Sequence, residues 1–207
     1  MIERWKVNYS EFVAEAGNGP YDAIADYLIG QFKWEWHDQY IANTAFKTDI
    51  IESPEKSLIY LFDTEVVEKD EISLKAGRVV AVYGRVCGDA PMRFTSSQLR
   101  GRCMGPTEKW IGKVDKGHFI AHTLGGGSNM NIFPQVRELN RGWSAAGKWF
   151  REMECYAAAR PGLMVFNRPI YADGSFWPRY FEFGVLKPEG ELWLEVFDNE
   201  RPAGSVI

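Results

Sequence analysis

The chain has 207 residues, of which 45% are hydrophobic and 14% aromatic, which suits one domain, or one domain with an extension, around a sizeable core. A mean hydropathy of −0.30 and the lack of any apolar run near the roughly 18–20 residues of a membrane span argue against a membrane partner. The net charge of −4 argues against a uniformly basic nucleic-acid binder, and three cysteines without a CxxC spacing argue against a disulfide framework or a zinc site.

The first forty residues are predicted to be helical. Ser10 is placed to cap a short helix that runs through Ala16, where Gly17 and Pro20 follow. Residues 21–33 then place apolar side chains at helical spacing; these are Ile24, Ala25, Leu28, Ile29 and Phe32. The first residues include no apolar signal-peptide region, so we expect a cytoplasmic chain with no export address of its own.

The pattern then changes to strands, with one long loop and one helix between them. Short apolar or alternating runs predict strands at residues 57–62, 78–86, 110–114, 163–166, 180–185 and 191–197. Residues 125–142, rich in Gly, Ser, Asn and Pro, are predicted to form a long ordered loop. The sequence therefore predicts an α+β fold: a central antiparallel sheet, one helix packed against it and a helical N-terminal region.

That helix begins after Ser144, a typical N-cap residue, and should end before Pro161. Its predicted buried face contains Ala146, Trp149, Phe150, Met153, Tyr156 and Ala157. In the last predicted strand a period of two directs three side chains inward; these are Leu192, Leu194 and Val196.

Charge is distributed unevenly along the chain. Residues 1–80 hold 8 Lys and Arg against 15 Asp and Glu, whereas residues 81–160 hold 12 against 6. A locally positive surface in the second segment would suit phosphate binding, although ordinary charge scatter explains the counts equally well. We interpret residues 1–75 as an acidic, partly helical extension packed on a domain of residues 76–207.

The basic segment contains an unusual series of polar elements. In chain order they are Asp115-Lys-Gly-His118, Gly125-Gly-Gly127, Asn131-Ile-Phe-Pro-Gln135, Leu139-Asn-Arg-Gly142 and Met153-Glu154. In this order they resemble the hallmark of the DNA/RNA non-specific endonucleases of the ββα-metal (His-Me finger) superfamily. The strands predicted after them look similar to the nuclease domains of bacterial toxins, whereas residues 1–75 carry no resemblance.

The resemblance implies a ββα-metal nuclease core that cleaves DNA, with RNA left open as a second substrate. It also implies Mg²⁺ as the catalytic metal, for which Mn²⁺ could substitute. Such an enzyme endangers its host, so the expected partners are an inhibitor (immunity) protein or a delivery domain that carries it into another cell. Two rivals stay open: a catalytically silent nucleic-acid-binding module on the same fold, and a protein-interaction domain in which the motif is coincidental.

Two residues suit the central roles of phosphodiester hydrolysis. A neutral imidazole at His118 can accept a proton from the attacking water. The side-chain oxygen of Asn140 suits Mg²⁺, which prefers hard oxygen ligands and retains several waters. A structural histidine and a turn asparagine are the simpler interpretations of these two residues.

A carboxylate on the following helix would support the metal through its bound waters. Glu154 is preferred because it stands in the Met-Glu context, and Glu152 is the alternative. The fourteen-residue spacer from Asn140 to Glu154 is longer than the family pattern. Both carboxylates could instead be solvated surface charges.

Lys116 stands where the family usually has arginine, so it keeps the charge but loses the bidentate contact with phosphate. Arg141 is therefore a candidate catalytic residue that contacts phosphate. Further substrate-binding candidates are Arg85, Arg100 and Arg102, and each of these cations could also be simply solvated.

Four other features of this region carry separate predictions. His122 lies four residues after His118, and on a strand it would share the same face, most simply in a structural role. Asn131 is expected to brace the loop. Trp143, Trp177 and Phe176 could stack on bases, whereas Trp149 is expected in the core.

Overall fold

The computed structural model describes residues 2–44, 50–67, 73–88, 111–127 and 130–205. Within those ranges the helices are α1 (Tyr9–Ala16), α2 (Tyr21–Asn43), α3 (Arg137–Asn140) and α4 (Ala145–Ala158). The strands are β1 (Ile50–Glu55), β2 (Leu58–Val67), β3 (Ser73–Arg85), β4 (Val114–His118), β5 (Ile132–Val136), β6 (Met164–Tyr171), β7 (Pro178–Leu186) and β8 (Leu192–Asp198). None of the helices in these ranges is long and apolar enough to cross a membrane.

Six strands form one antiparallel sheet in the order β1-β2-β3-β6-β7-β8, and β4 pairs with β5 in a separate hairpin. The fold is therefore α+β with a mainly antiparallel sheet, as the sequence predicts. Strand β3 pairs directly with β6, from Val82 opposite Asn167 to Arg85 opposite Met164. The chain thus leaves the sheet after β3, forms the hairpin, α3 and α4, and returns at β6.

The two faces of the large sheet are covered by different parts of the chain. On one face, α1 and α2 pack against the strands, and the ring of Trp36 lies 5.1 Å from that of Phe166. On the other face, Phe150 of α4 packs against Phe181 and Phe183 of β7. Successive strand residues point to opposite faces, and each face of the sheet contributes apolar side chains to one of two buried clusters.

A buried polar network fastens the N-terminal helices to the sheet. Arg168 of β6 donates to Glu182 of β7 at 3.0 Å, and the Tyr9 hydroxyl donates to the same carboxylate at 2.5 Å. The indole nitrogen of Trp36 donates to the Tyr9 hydroxyl at 2.8 Å. The network pairs every one of these buried groups, as burial of charge requires.

The interpreted boundary between residues 75 and 76 lies inside β3. Strands β1 and β2, from the N-terminal segment, belong to the same sheet as β6, β7 and β8. Residues 1–75 therefore contribute two strands and one covering layer of the central structure.

The structure corrects several predicted boundaries. Helix α1 begins at Tyr9 with Asn8 as its N-cap residue, so the predicted cap at Ser10 is wrong. Helix α2 continues to Asn43, well beyond residue 33. The predicted strand at 110–114 begins only at Val114, and Trp110 lies outside the described residues.

The long loop predicted at 125–142 is wrong, because this stretch contains β5 and α3. The N-cap of α4 is confirmed, since the Gly147 backbone N–H donates to Ser144 Oγ at 2.9 Å. Val196 is 45% exposed, so its predicted inward position is wrong. Cys87 and Cys155 are free thiols, and Cys103 lies outside the described residues.

Candidate functional site

The hairpin and the helix that follows it form the frame of the candidate site. In the hairpin Asp115 lies opposite Gln135 and His118 lies opposite Ile132, so β4 and β5 are in register over their whole length. Helix α4 packs against α3 at the open end of the hairpin and against a 3-10 turn at His122–Leu124 beyond its closed end. Helix α4 therefore runs along the hairpin, which gives the order strand, strand, helix.

Gly117 is needed for the two strands to pack as they do. A Cβ atom at this position would lie 2.2 Å from Gln135 Oε1 and 2.7 Å from its Cβ. The fully buried Gln135 side chain thus lies directly over Gly117. The glycine of the Asp-Lys-Gly-His element and the glutamine of the Asn-Ile-Phe-Pro-Gln element are in contact.

Asp115 organises the polar groups at the open end of the hairpin. Arg141 donates to it twice, from Nε at 2.6 Å and from NH2 at 3.2 Å. Arg137 Nε donates at 3.0 Å and Asn140 Nδ2 at 3.3 Å. Burial alone would raise the pKa of the Asp115 carboxyl, but the hydrogen bonds from Arg141, Arg137 and Asn140 outweigh it and hold the pKa below its ordinary value.

This contact determines the orientation of the Asn140 amide. An ionised carboxylate only accepts hydrogen bonds, so the nitrogen of the amide must face Asp115 and Oδ1 must face away. The outward oxygen is a hard, neutral ligand of the kind that Mg²⁺ accepts. Among the described residues no group of three or more His, Cys, Asp or Glu could hold a metal. A single neutral oxygen ligand suits an ion that keeps most of its water.

The cluster around Asp115 keeps a positive charge, because two guanidinium groups share one carboxylate. The Arg141 side chain is 46% exposed, and it uses only two of its five N–H donors on Asp115. Its remaining donors can contact an anion while the carboxylate fixes the side chain.

His118 ends β4, in a partly buried position. Because side chains alternate along a strand, Lys116 and His118 share one face of β4 whereas Asp115 and Gly117 share the other. Lys116 is exposed. The strand therefore directs Lys116 and His118 to one face and the Asp115 cluster to the other. His118 lies about 10 Å along the strand from Asp115.

His122 does not share this strand face, so that prediction is wrong. Strand β4 ends at His118, and His122 begins the 3-10 turn. The predicted bracing role of Asn131 is confirmed. Its amide accepts from the Ile120 N–H at 2.9 Å and donates to the Ile120 and Gly127 carbonyls at 2.7 and 2.9 Å.

The structure separates the two candidate carboxylates on α4. Glu152 is exposed, whereas Glu154 is partly buried, and this burial raises the pKa of Glu154 to about 7 against an opposing effect of Arg151. Glu154 comes seven residues after Gly147, so it lies on the same helical face. A Cβ at Gly147 would lie 2.6 Å from the Leu139 carbonyl of α3, so this face of α4 meets α3.

Arg85 lies away from the hairpin cluster. At the end of β3 it forms ion pairs with Asp22 at 3.2 Å and Asp26 at 3.0 Å, both on α2, and its guanidinium lies over the Tyr21 ring. Arg100 and Arg102 fall outside the described residues.

The tryptophans divide differently from the prediction. Trp149 is 41% exposed, so its expected core position is wrong. The centroid of its ring lies 5.5 Å from that of Trp193. Trp177 is buried, and its indole nitrogen donates to the Asn199 carbonyl at 2.6 Å. Phe176 is partly buried, and Trp143 is 61% exposed.

Two residues of the site had no role in the sequence interpretation: Asp115, which was quoted only as part of the motif, and Arg137. Arg137 and Arg141 are four residues apart, a spacing that brings side chains together on a helical turn. In the sequence, this spacing is the signal that Arg137 and Arg141 could bind the same carboxylate.

No protein-family model matches the chain, and no curated protein matches it. The resemblance therefore rests on the motif residues themselves.

Proposed function

We propose that the chain is a Mg²⁺-dependent, sequence-nonspecific endonuclease that hydrolyses phosphodiester bonds of DNA on a ββα-metal core. One observation carries the proposal: around one hairpin, the Asp-Lys-Gly-His element contacts both the Asn-Ile-Phe-Pro-Gln element and the Leu-Asn-Arg-Gly element. Asp115 holds Asn140 and Arg141, which lie 25 and 26 residues further along the chain. Gln135 covers Gly117. These contacts support the nuclease interpretation over a coincidental motif.

In this proposal His118 accepts a proton from the attacking water, and Asn140 presents Oδ1 to the metal. When bound, Mg²⁺ would supply a Lewis acid that stabilises the negative charge of the leaving oxygen. Glu154 supports the metal through water, and Arg141 contacts the phosphate while Asp115 fixes its guanidinium. Lys116 shares the strand face of His118 and supplies a second positive charge.

RNA as a second substrate, Mn²⁺ as a substitute metal, and an inhibitor protein or a delivery domain as a partner belong to the same proposal. A nuclease of low specificity would damage its own host. It therefore needs an inhibitor protein that restrains it, or a delivery domain that carries it into another cell. The acidic α1 and α2 offer a surface on which such a partner could dock.

The test is degradation of supercoiled plasmid by the purified chain with Mg²⁺, with EDTA, and by the variants His118→Ala and His122→Ala. Loss of a positioned general base should slow cleavage about 10²- to 10⁴-fold in His118→Ala. His122→Ala is the matched control, because it removes a nearby histidine outside the proposed chemistry. Cleavage that survives EDTA or His118→Ala contradicts the mechanism.

Binding without cleavage would favour the catalytically silent nucleic-acid module. An absence of both metal dependence and salt-sensitive DNA binding would favour the protein-interaction domain.

A further inference from the structure

The turn between α3 and α4 carries an exposed tryptophan on a fixed backbone. The Trp143 side chain is 61% exposed, whereas the backbone N–H of this residue donates to the Glu138 carbonyl at 2.8 Å. Gly142 before it has a φ of 69°, a conformation that glycine adopts without strain. The ring therefore stands in solvent three residues after Asn140.

Exposure alone does not mark a site, since Trp34 on α2 is 68% exposed. The difference lies in what surrounds each ring. The Arg141 guanidinium lies 5.1 Å from the centroid of the Trp143 ring. Asp115 binds the same guanidinium through two donors. A cation and an aromatic face are thus held side by side, next to the proposed metal ligand.

The charges around the two tryptophans also differ. Residues 111–127 and 130–158, which include Trp143 and run to the end of α4, hold six Lys and Arg against four Asp and Glu. Residues 2–44, which include Trp34, hold three against seven. A polyanion is therefore attracted to the first surface and repelled from the second.

We propose that Trp143 and Arg141 form a subsite for one unpaired nucleotide, whose base stacks on the indole while the guanidinium contacts its phosphate. Every base has a face that can stack on an aromatic ring, so this contact needs no particular sequence. In a duplex these faces are already covered by neighbouring bases. The subsite therefore selects single-stranded nucleic acid. This inference rests on the proposed nuclease function, since the subsite adjoins Asn140.

The test measures binding in a His118→Ala background, so that cleavage does not interfere. A fluorescein-labelled 12-nucleotide DNA strand, and the same strand in a duplex, are titrated by fluorescence anisotropy at fixed salt. Trp143→Ala should weaken single-strand binding about 5- to 100-fold, whereas Trp143→Phe should stay within a few-fold of the parent. Trp34→Ala is the matched exposed control and should change nothing.

Unchanged single-strand binding in Trp143→Ala, or an equal loss for strand and duplex, overturns the subsite. If the chain with His118 intact cleaves plasmid normally in that case, the nuclease proposal stands and only the subsite is lost. If the His118→Ala protein binds neither strand nor duplex and the chain with His118 intact cleaves no plasmid, both proposals fall. Because Trp143 is exposed, circular dichroism should show the parent fold in every variant.

Discussion

The side-chain amide of Asn140 donates a 3.3 Å hydrogen bond to the carboxylate of Asp115, and this contact decides which end of the amide faces outward. The same carboxylate binds Arg137 and Arg141. One residue of β4 thus positions Arg137 and Asn140 of α3 and also Arg141, which directly follows this helix. Asp115 is a positioning residue in the proposed mechanism, since it acts through Asn140 and Arg141.

Replacing Asp115 with asparagine should impair the proposed nuclease activity without unfolding the chain. The single amide oxygen of asparagine cannot accept all four hydrogen bonds that the Asp115 carboxylate receives, so Asn140 and Arg141 lose their fixed orientation. Loss of such an outer partner typically costs about 10- to 100-fold in metal affinity or activity. We expect Asp115→Asn to need more Mg²⁺ for half-maximal cleavage, as measured by plasmid degradation across a Mg²⁺ titration.

Glu138→Gln is the matched control for this variant. Glu138 also lies on α3, but its carboxylate forms only a 3.8 Å surface pair with Lys113. It should keep the parent Mg²⁺ requirement. An Asp115→Asn variant with an unchanged Mg²⁺ requirement would show that Asp115 does not position the proposed metal ligand.

The partly buried carboxyl of Glu154 predicts a pH dependence of stability in metal-free protein. Burial raises its pKa from 4.5 to about 7 in the folded chain. Between these values the folded state binds more protons than the unfolded state, so stability falls as pH rises through this window. The full effect is about 3 kcal/mol above pH 7. Urea unfolding in EDTA at pH 5 and pH 8 measures it.

In Glu154→Gln this contribution should vanish, so the difference in unfolding free energy between the two pH values should shrink relative to the parent. Glu152→Gln, at an exposed position on the same helix, should behave as the parent does. An identical pH response in the parent and Glu154→Gln would show that Glu154 titrates normally.

Helix α4 could be predicted because its signals are local. Ser144 is a strong N-cap residue, and an apolar stripe follows it at helical spacing. The predicted stripe was too wide, however, since it included Trp149. The buried face is narrower and includes Gly147, where a close approach to α3 leaves no room for a side chain.

Strand β5 could not be predicted from its own residues. It has five residues, contains Pro134 and lies within a stretch rich in Gly and Asn, all of which are typical of a loop. Pairing with β4 creates the strand, and this contact is not visible locally. The role of Asp115 was missed for the same reason, because its partners lie 22 to 26 residues away.

The cations should differ in their contribution to nucleic-acid binding. The Arg85 guanidinium is held by Asp22 and Asp26, so Arg85→Gln should change the affinity for single-stranded DNA less than about 2-fold. Arg141→Gln should weaken it and should lower the slope of log affinity against log salt by about 0.7, the value for one phosphate contact on a single strand. Anisotropy titrations at several salt concentrations measure both. Equal losses in the two variants would restore Arg85 as a substrate-binding residue.

The N-terminal segment should be required for folding. A chain of residues 76–207 lacks β1, β2, α1 and α2, so one face of the sheet loses its cover and β3 becomes an exposed edge strand. We expect this truncated chain to be unfolded or aggregated, as measured by size-exclusion chromatography and circular dichroism. A monomeric, cooperatively folded fragment would contradict this prediction and would support a separate domain.

Two single substitutions on α2 test the same point in the full chain. Leu28 is fully buried beneath the sheet, and Leu28→Ala should lower the free energy of unfolding by about 2–5 kcal/mol. Trp34, on the solvent side of the helix, is 68% exposed, and Trp34→Ala should change it by less than about 0.5 kcal/mol. If the N-terminal layer were a loosely attached extension, Leu28→Ala would leave the main unfolding transition in place and add a separate, weaker one. A single transition that shifts as a whole would show that both layers and the sheet between them unfold as one unit.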